Sequence, residues 1–229
     1  MIDVAANLAA VRERVDRACA AAGRNPDEVR LLPVSKTHPV ELLEAAYDAG
    51  VRLFGENRVQ EAGEKAEHFA DRTDVGWAII GHLQTNKARQ VARFATEFHA
   101  LDSLKVAEAL HRALVDEGRT LDVFVQVNSS AEPQKFGQPP EAVPELVDAL
   151  AGLSSLRVRG LMTLAVFSDD QAAVRACFER TVTLREQLAT DLCGRELSMG
   201  MSGDFELAIG CGATTVRVGQ AIFGARPAP

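Results

Sequence analysis

Apolar positions along the chain alternate between helical faces and short continuous runs. Val4, Leu8, Val11 and Val15 share one helical face, Asp3 stands where a cap belongs, and Gly23 followed by Asn25-Pro26 closes the segment. The run 29–35, Val-Arg-Leu-Leu-Pro-Val-Ser, then reads as a strand. Pro39 opens the next helix, Leu42, Leu43 and Ala46 give it a face, and Gly50 stops it.

The alternation continues to the end. Strands are expected at 51–54, 76–80, 96–101, 121–127, 158–164, 196–199 and 214–218. Helices are expected at about 59–69 and 85–94, from a Ser103 cap through Leu104, Leu110 and Leu114, and from Pro139-Pro140 through Leu150. A long helix carries Val174, Phe178 and Leu188, and a short one is capped by Ser202 and ends at Gly212. This gives eight βα units behind one extra N-terminal helix. The strands are near-continuous apolar runs, as a parallel sheet buried on both faces requires. The expectation is an α/β fold, a TIM-type (β/α)8 barrel with an extra N-terminal helix, forming a single domain over 1–229. A doubly wound sheet usually carries fewer strands.

Composition removes several classes. The 229 residues are 47% apolar and 25% charged, an ordinary globular balance. No apolar run approaches the roughly 20 residues of a spanning helix. The start, Met1-Ile2-Asp3-Val4, has neither a basic segment nor an apolar core, so a cytoplasmic protein without secretory signal is expected. The net charge of −7 opposes backbone-driven binding of nucleic acid. The four cysteines, Cys19, Cys177, Cys193 and Cys211, form no CxxC and read as reduced thiols rather than a metal site.

In such a barrel function gathers at the C-terminal strand ends, with phosphate held after strands seven and eight. Three features stand there. Lys36 ends the first strand, where desolvation disfavours an ammonium; it either forms a Schiff base with an aldehyde or reaches solvent and pairs with Glu56. Ser202-Gly203 at a helix start is either a plain cap or an anion site, and Gly219-Gln220 supplies further backbone donors. Arg217 lies between Val216 and Val218 and needs partners, either Glu206 or Asp204 or a ligand atom. An amine, a phosphate cradle and an arginine that can meet a pyridine nitrogen together describe pyridoxal 5'-phosphate, PLP.

The chain resembles the pyridoxal-phosphate homeostasis protein family, which is similar to the barrel domain of bacterial alanine racemase. The resemblance is carried by Val34-Ser35-Lys36-Thr37, by 54–61 (Phe-Gly-Glu-Asn-Arg-Val-Gln-Glu), and by 80–87 (Ile-Gly-His-Leu-Gln-Thr-Asn-Lys). Gly160-Leu161-Met162, 197–202 (Leu-Ser-Met-Gly-Met-Ser) and 217–224 (Arg-Val-Gly-Gln-Ala-Ile-Phe-Gly) complete it. It implies that Lys36 carries PLP as an internal aldimine, that Ser202, Gly219 and Gln220 hold the phosphate, and that Arg217 meets the pyridine nitrogen. It also implies that Asn57 and Met201 line the pocket; His82 and Lys87 fall in a matching motif without a physical role. Two positions depart from the pattern: Arg58, where many relatives carry an aromatic, and Ala78, where many carry His. They bear on fine substrate or partner preference.

The resemblance implies a carrier that buffers PLP and supplies it to apo-enzymes, with no catalytic residue. An arginine at the ring nitrogen weakens PLP as an electron sink. Racemases of this fold take a tyrosine from a C-terminal β-domain, which is not expected here, so a monomer is favoured. The one tyrosine, Tyr47, falls on the helix after strand one. The alternatives are a PLP-dependent racemase or related enzyme, and a lysine aldolase acting on a phosphorylated sugar.

Overall fold

Helix α1 (Val4–Ala21) buries Val4, Leu8, Val11, Val15 and Cys19 on one face, and Asp3 caps it by accepting the Ala6 N–H at 2.9 Å. The structure is a computed structural model that describes residues 2–189 and 191–225. After α1 the elements alternate: β1 (Arg30–Pro33), α2 (Val40–Asp48), β2 (Leu53–Glu56), α3 (Val59–His68), β3 (Gly76–Ile79), α4 (Ala88–Phe94), β4 (Glu97–Leu101) and α5 (Leu104–Asp116). Then follow β5 (Leu121–Val127), α6 (Val143–Leu150), β6 (Leu156–Thr163), α7 (Gln171–Gln187), β7 (Glu196–Ser198), α8 (Phe205–Gly210), β8 (Thr215–Val218) and α9 (Gln220–Phe223).

All eight strands are parallel, in the order β1-β8-β7-β6-β5-β4-β3-β2. The ring closes just beyond β1, where Val34 bridges Gly55 and the Ser35 N–H donates to the Gly55 carbonyl at 3.0 Å. On its other side the Val34 N–H donates to the Val218 carbonyl at 2.9 Å. The expected (β/α)8 barrel with an additional first helix is therefore present. Fully buried phenylalanines, including Phe54, Phe98, Phe124, Phe178, Phe205 and Phe223, fill the core.

The boundaries differ locally, for physical reasons. β2 begins at Leu53 rather than at residue 51, because Val51 is used to close α2: its N–H donates to the Ala46 carbonyl after Gly50 turns with φ 91°. β6 begins at Leu156, which pairs with Leu121. Helix α7 ends at Gln187, and Leu188 leaves it in an extended conformation.

Gly81 marks a close approach between two loops. A Cβ there would fall well inside van der Waals contact with the backbone carbonyl of Asn57. Gly81→Ala should therefore lower the unfolding free energy by about 1–3 kcal/mol, read as a lower urea midpoint; an unchanged midpoint would mean that the two loops part freely.

Candidate functional site

The closure of the ring brings the ends of β1, β2, β7 and β8 together around one cavity of about 360 Å³. That volume falls within the usual range for small-molecule sites, about 300–1,000 Å³. Lys36, Asn57, Met201, Ser202, Arg217, Gly219 and Gln220, the seven residues expected to meet a cofactor, all line it. The fold thus collects residues separated by up to 184 positions (220 − 36) into one concave surface.

Lys36 follows the last bridged residues of β1 and is half-buried. Glu56, one of its expected alternative partners, is fully buried and accepts from the Ser35 hydroxyl at 2.6 Å and from Lys65 Nζ at 2.7 Å. Burial pushes the Glu56 carboxyl up, against the lowering effect of Lys65 and Ser35.

The loop after β7 differs from expectation. Ser202 does not cap a helix: α8 starts at Phe205, after a turn in which the Asp204 carboxylate accepts the Met201 N–H at 2.5 Å. Asp204 occupies the cap position, but its carboxylate turns back to Met201 and caps no helical N–H. Ser202 and Gly203 stay in the turn, beside the cavity, and a Cβ at Gly203 would meet nothing within 4 Å. The N–H groups of Ser202, Gly203 and Gly219 donate to no acceptor among the described residues. Three backbone donors in one cavity wall fit an anionic oxygen cluster better than does the dipole of a six-residue helix.

Arg217 is 3% exposed and committed at both ends of its guanidinium. Nη1 donates to Ser198 Oγ and Nη2 to the Thr163 carbonyl, each at 2.8 Å. Of the two carboxylates expected as partners, Glu206 is engaged by Arg14 at 2.6 Å, while Asp204 favours the Arg217 cation from a distance. Burial brings the Arg217 pKa down to about 10, so the group remains cationic at neutral pH.

From Arg217 a line of polar groups runs into the barrel, which the sequence reading missed. Ser198 Oγ lies 2.9 Å from His99 Nδ1, and His99 Nε2 lies 2.7 Å from Glu97 Oε2. Arg30 grips Glu97 with two bonds of 2.5 and 2.8 Å. Because β1 and β4 are not neighbours in the sheet, the Arg30–Glu97 pair spans the inside of the barrel. The Ser198 hydroxyl accepts from Arg217 and also meets His99 Nδ1, and on the other side His99 Nε2 donates to the Glu97 carboxylate, which can only accept. Burial lowers the His99 pKa, against the raising effect of Glu97. The available signal was polar residues two apart, Glu97 and His99, on one face of an otherwise apolar strand.

His38 also lines the cavity and was missed; it is 5% exposed and lies against Phe223, with ring centroids 5.5 Å apart. His82 and Lys87 are not among the lining residues. His82 instead bonds Asp102 through Nδ1 at 2.8 Å and stacks on Phe136 at 3.9 Å. Lys87 ends a 3₁₀ turn, Thr85–Lys87, that leads into α4. Cys19, Cys177 and Cys193 are buried free thiols, and Cys211 is half-buried. Among the described residues no helix is long and apolar enough to cross a membrane.

Comparison with known proteins adds the following. The family model of the alanine racemase N-terminal domain matches residues 6–227. A pyridoxal phosphate homeostasis protein of Pseudomonas aeruginosa is 44% identical over 227 residues, covering 99% of this chain and 97% of its own length. One from Escherichia coli K12 is 41% identical over 236 residues, with 99% and 98% covered. The solved structure of PipY from Synechococcus elongatus with PLP bound superposes with a TM-score of 0.83 at 35% identity, over 96% of this chain and all of that one. Alanine racemase of Clostridium difficile shares the fold, with a TM-score of 0.71 at 14% identity over 99% of this chain and 57% of that one.

The buried polar line has a titration consequence. Burial pushes the Glu97 carboxyl up, but hydrogen bonds from His99 and Arg30 outweigh it and bring the pKa from its ordinary 4.5 to about 2. A depressed carboxyl contributes stability that is full above the unfolded value and is lost as pH falls through the folded one. Unfolding free energy should therefore drop between pH 4.5 and about 2, and Glu97→Gln should flatten that segment in urea titrations. An equally steep acid limb in the variant would assign the loss to other groups.

Proposed function

The chain belongs to the pyridoxal phosphate homeostasis proteins, within the alanine racemase N-terminal domain family, and we propose that its cavity holds PLP for storage and delivery. It is a PLP-binding protein of intracellular PLP homeostasis. The observation that carries the site assignment is the convergence of Lys36, Arg217 and the donors of Ser202 and Gly219 in a single cavity.

The donor set fits the cofactor. When bound, PLP supplies an aldehyde, the electrophile that a neutral primary amine attacks with loss of one water. Lys36 is the amine in the cavity wall. The backbone donors of Ser202, Gly219 and Gln220 hold the phosphate, Arg217 faces the pyridine nitrogen, and Asn57 and Met201 line the ring's surroundings. A cationic guanidinium keeps that nitrogen unprotonated and so makes the ring a poor electron sink.

In this reading the protein is a carrier rather than a catalyst. Retention needs one amine, whereas racemisation needs an acid or base on each cofactor face. Tyr47 places its hydroxyl 3.0 Å from Asp74 on the outer side of the barrel wall, away from the residues lining the cavity. In this reading one chain suffices for the cavity, the working species is a monomer, and it serves apo-enzymes in the cytoplasm. Three buried free thiols suit a reducing compartment.

Purified protein incubated with PLP should turn yellow, and borohydride should fix the cofactor's mass on the peptide containing Lys36. Lys36→Ala should abolish the covalent adduct while leaving the fold intact by circular dichroism. Incubation of the loaded protein with amino acids in deuterium oxide should give no label at Cα. Attachment elsewhere would refute the assignment of Lys36, and rapid labelling would turn the reading toward a racemase.

A further inference from the structure

The two peptide groups that flank Lys36 are tied to one buried ammonium outside the cavity. Lys65 on α3 is 5% exposed. Its Nζ donates to the Ser35 carbonyl at 2.8 Å, to Glu56 Oε1 at 2.7 Å and to Glu61 Oε1 at 2.8 Å. The same Glu61 oxygen accepts the Thr37 N–H at 2.5 Å. The Ser35 carbonyl belongs to the peptide before Lys36, and the Thr37 N–H to the peptide after it. Both amide planes that set the direction of the Lys36 Cα–Cβ bond are therefore anchored to Lys65, one directly and one through Glu61.

The backbone there needs such an anchor. Thr37 has φ 67°, in the left-handed region that a β-branched residue rarely adopts. A conformation of that kind persists only where its surroundings over-determine it. Glu61 and Lys65 stand four residues apart on one face of α3, so their pairing is built into the helix before either meets the strand end. Glu56 and Glu61 both fall in the motif spanning 54–61, of which the carrier reading uses only Asn57 at the cofactor.

We infer that Lys65 and Glu61 are positioning residues for the Lys36 amine, acting by fixing the peptide groups on both sides of it. The inference rests on the reading of Lys36 as the residue that condenses with the PLP aldehyde. It makes a separable demand on ligands. The phosphate contacts assigned to Ser202, Gly219 and Gln220 come from the loops after β7 and β8, and neither Lys65 nor Glu61 lines the cavity. Only the bond between amine nitrogen and aldehyde carbon depends on where the amine is aimed, and misplacement of a reacting group is costly even over short distances.

The test compares two ligands. PLP has the aldehyde; pyridoxine 5'-phosphate keeps the ring and phosphate but has an alcohol in its place. Glu61→Ala and Lys65→Met should each weaken PLP binding by about tenfold or more and lower the borohydride-trapped mass on Lys36 at a fixed PLP concentration. Affinity for pyridoxine 5'-phosphate, measured by calorimetry, should stay that of the parent. Lys65→Met leaves two carboxylates facing each other; if it does not fold, Glu61→Ala, which keeps Lys65 on Glu56 and Ser35, decides alone. Parent-like PLP loading in Glu61→Ala overturns the inference, and so does equal weakening of both ligands, which marks general loosening of the pocket. A parent protein that binds neither ligand overturns the carrier reading first and this inference with it.

Discussion

The seam between the first and second strands governs the rest of the molecule. Each of the other neighbouring strand pairs holds its partner within the sheet, but β1 reaches β2 only through Val34 and Ser35, just before Lys36. Were that seam open, Lys36 and Asn57 would sit on separate edges, and the loops after β7 and β8 would face solvent instead of a wall. A ring of parallel strands has no free edge once closed, so the same hydrogen bonds that end the sheet also complete the cavity. The residues that hold the seam, Gly55 and Ser35, are buried. Gly55 leaves room there for the Val34 and Leu32 side chains, which a Cβ would meet at 3.3 and 3.4 Å.

Much of this was legible in the order of residues. Short continuous apolar runs set against the 3.6 period marked eight strands and their helices, because each strand is apolar on both faces and each helix on one. Lys36 stood out because a charged residue ending an apolar strand is unusual, and the barrel rule placed Ser202 and Gly219 on its side of the molecule. What escaped was settled by competition between local choices. The turn closed by Asp204 on the Met201 N–H delays α8 to Phe205, past Ser202, and Val51 closed α2 instead of opening β2. Neither outcome is visible without knowing how far the chain has already turned.

Long-range polar pairing was the other hidden layer. Glu97 and His99 look like interruptions in an apolar strand until Arg30 and Arg217 arrive from strands on the other side of the ring. Glu56 and Lys65 look like ordinary surface charges until the fold buries both. In each case the sequence shows the charge but not its complement, since the partners lie far apart along the chain or on different elements. Buried charges of this kind are costly when unpaired, so each one constrains its partner as strongly as an apolar contact would.

The line from Arg217 to Arg30 also constrains how the sequence can drift. Its members are linked in series, so no single position changes in isolation: a hydrophobe at His99 takes one partner each from the Ser198 hydroxyl and the Glu97 carboxylate at once. Descendants of this chain are expected to keep the three inner residues, Ser198, His99 and Glu97, together or exchange them as a block, which makes the barrel interior an inherited unit rather than a set of independent sites.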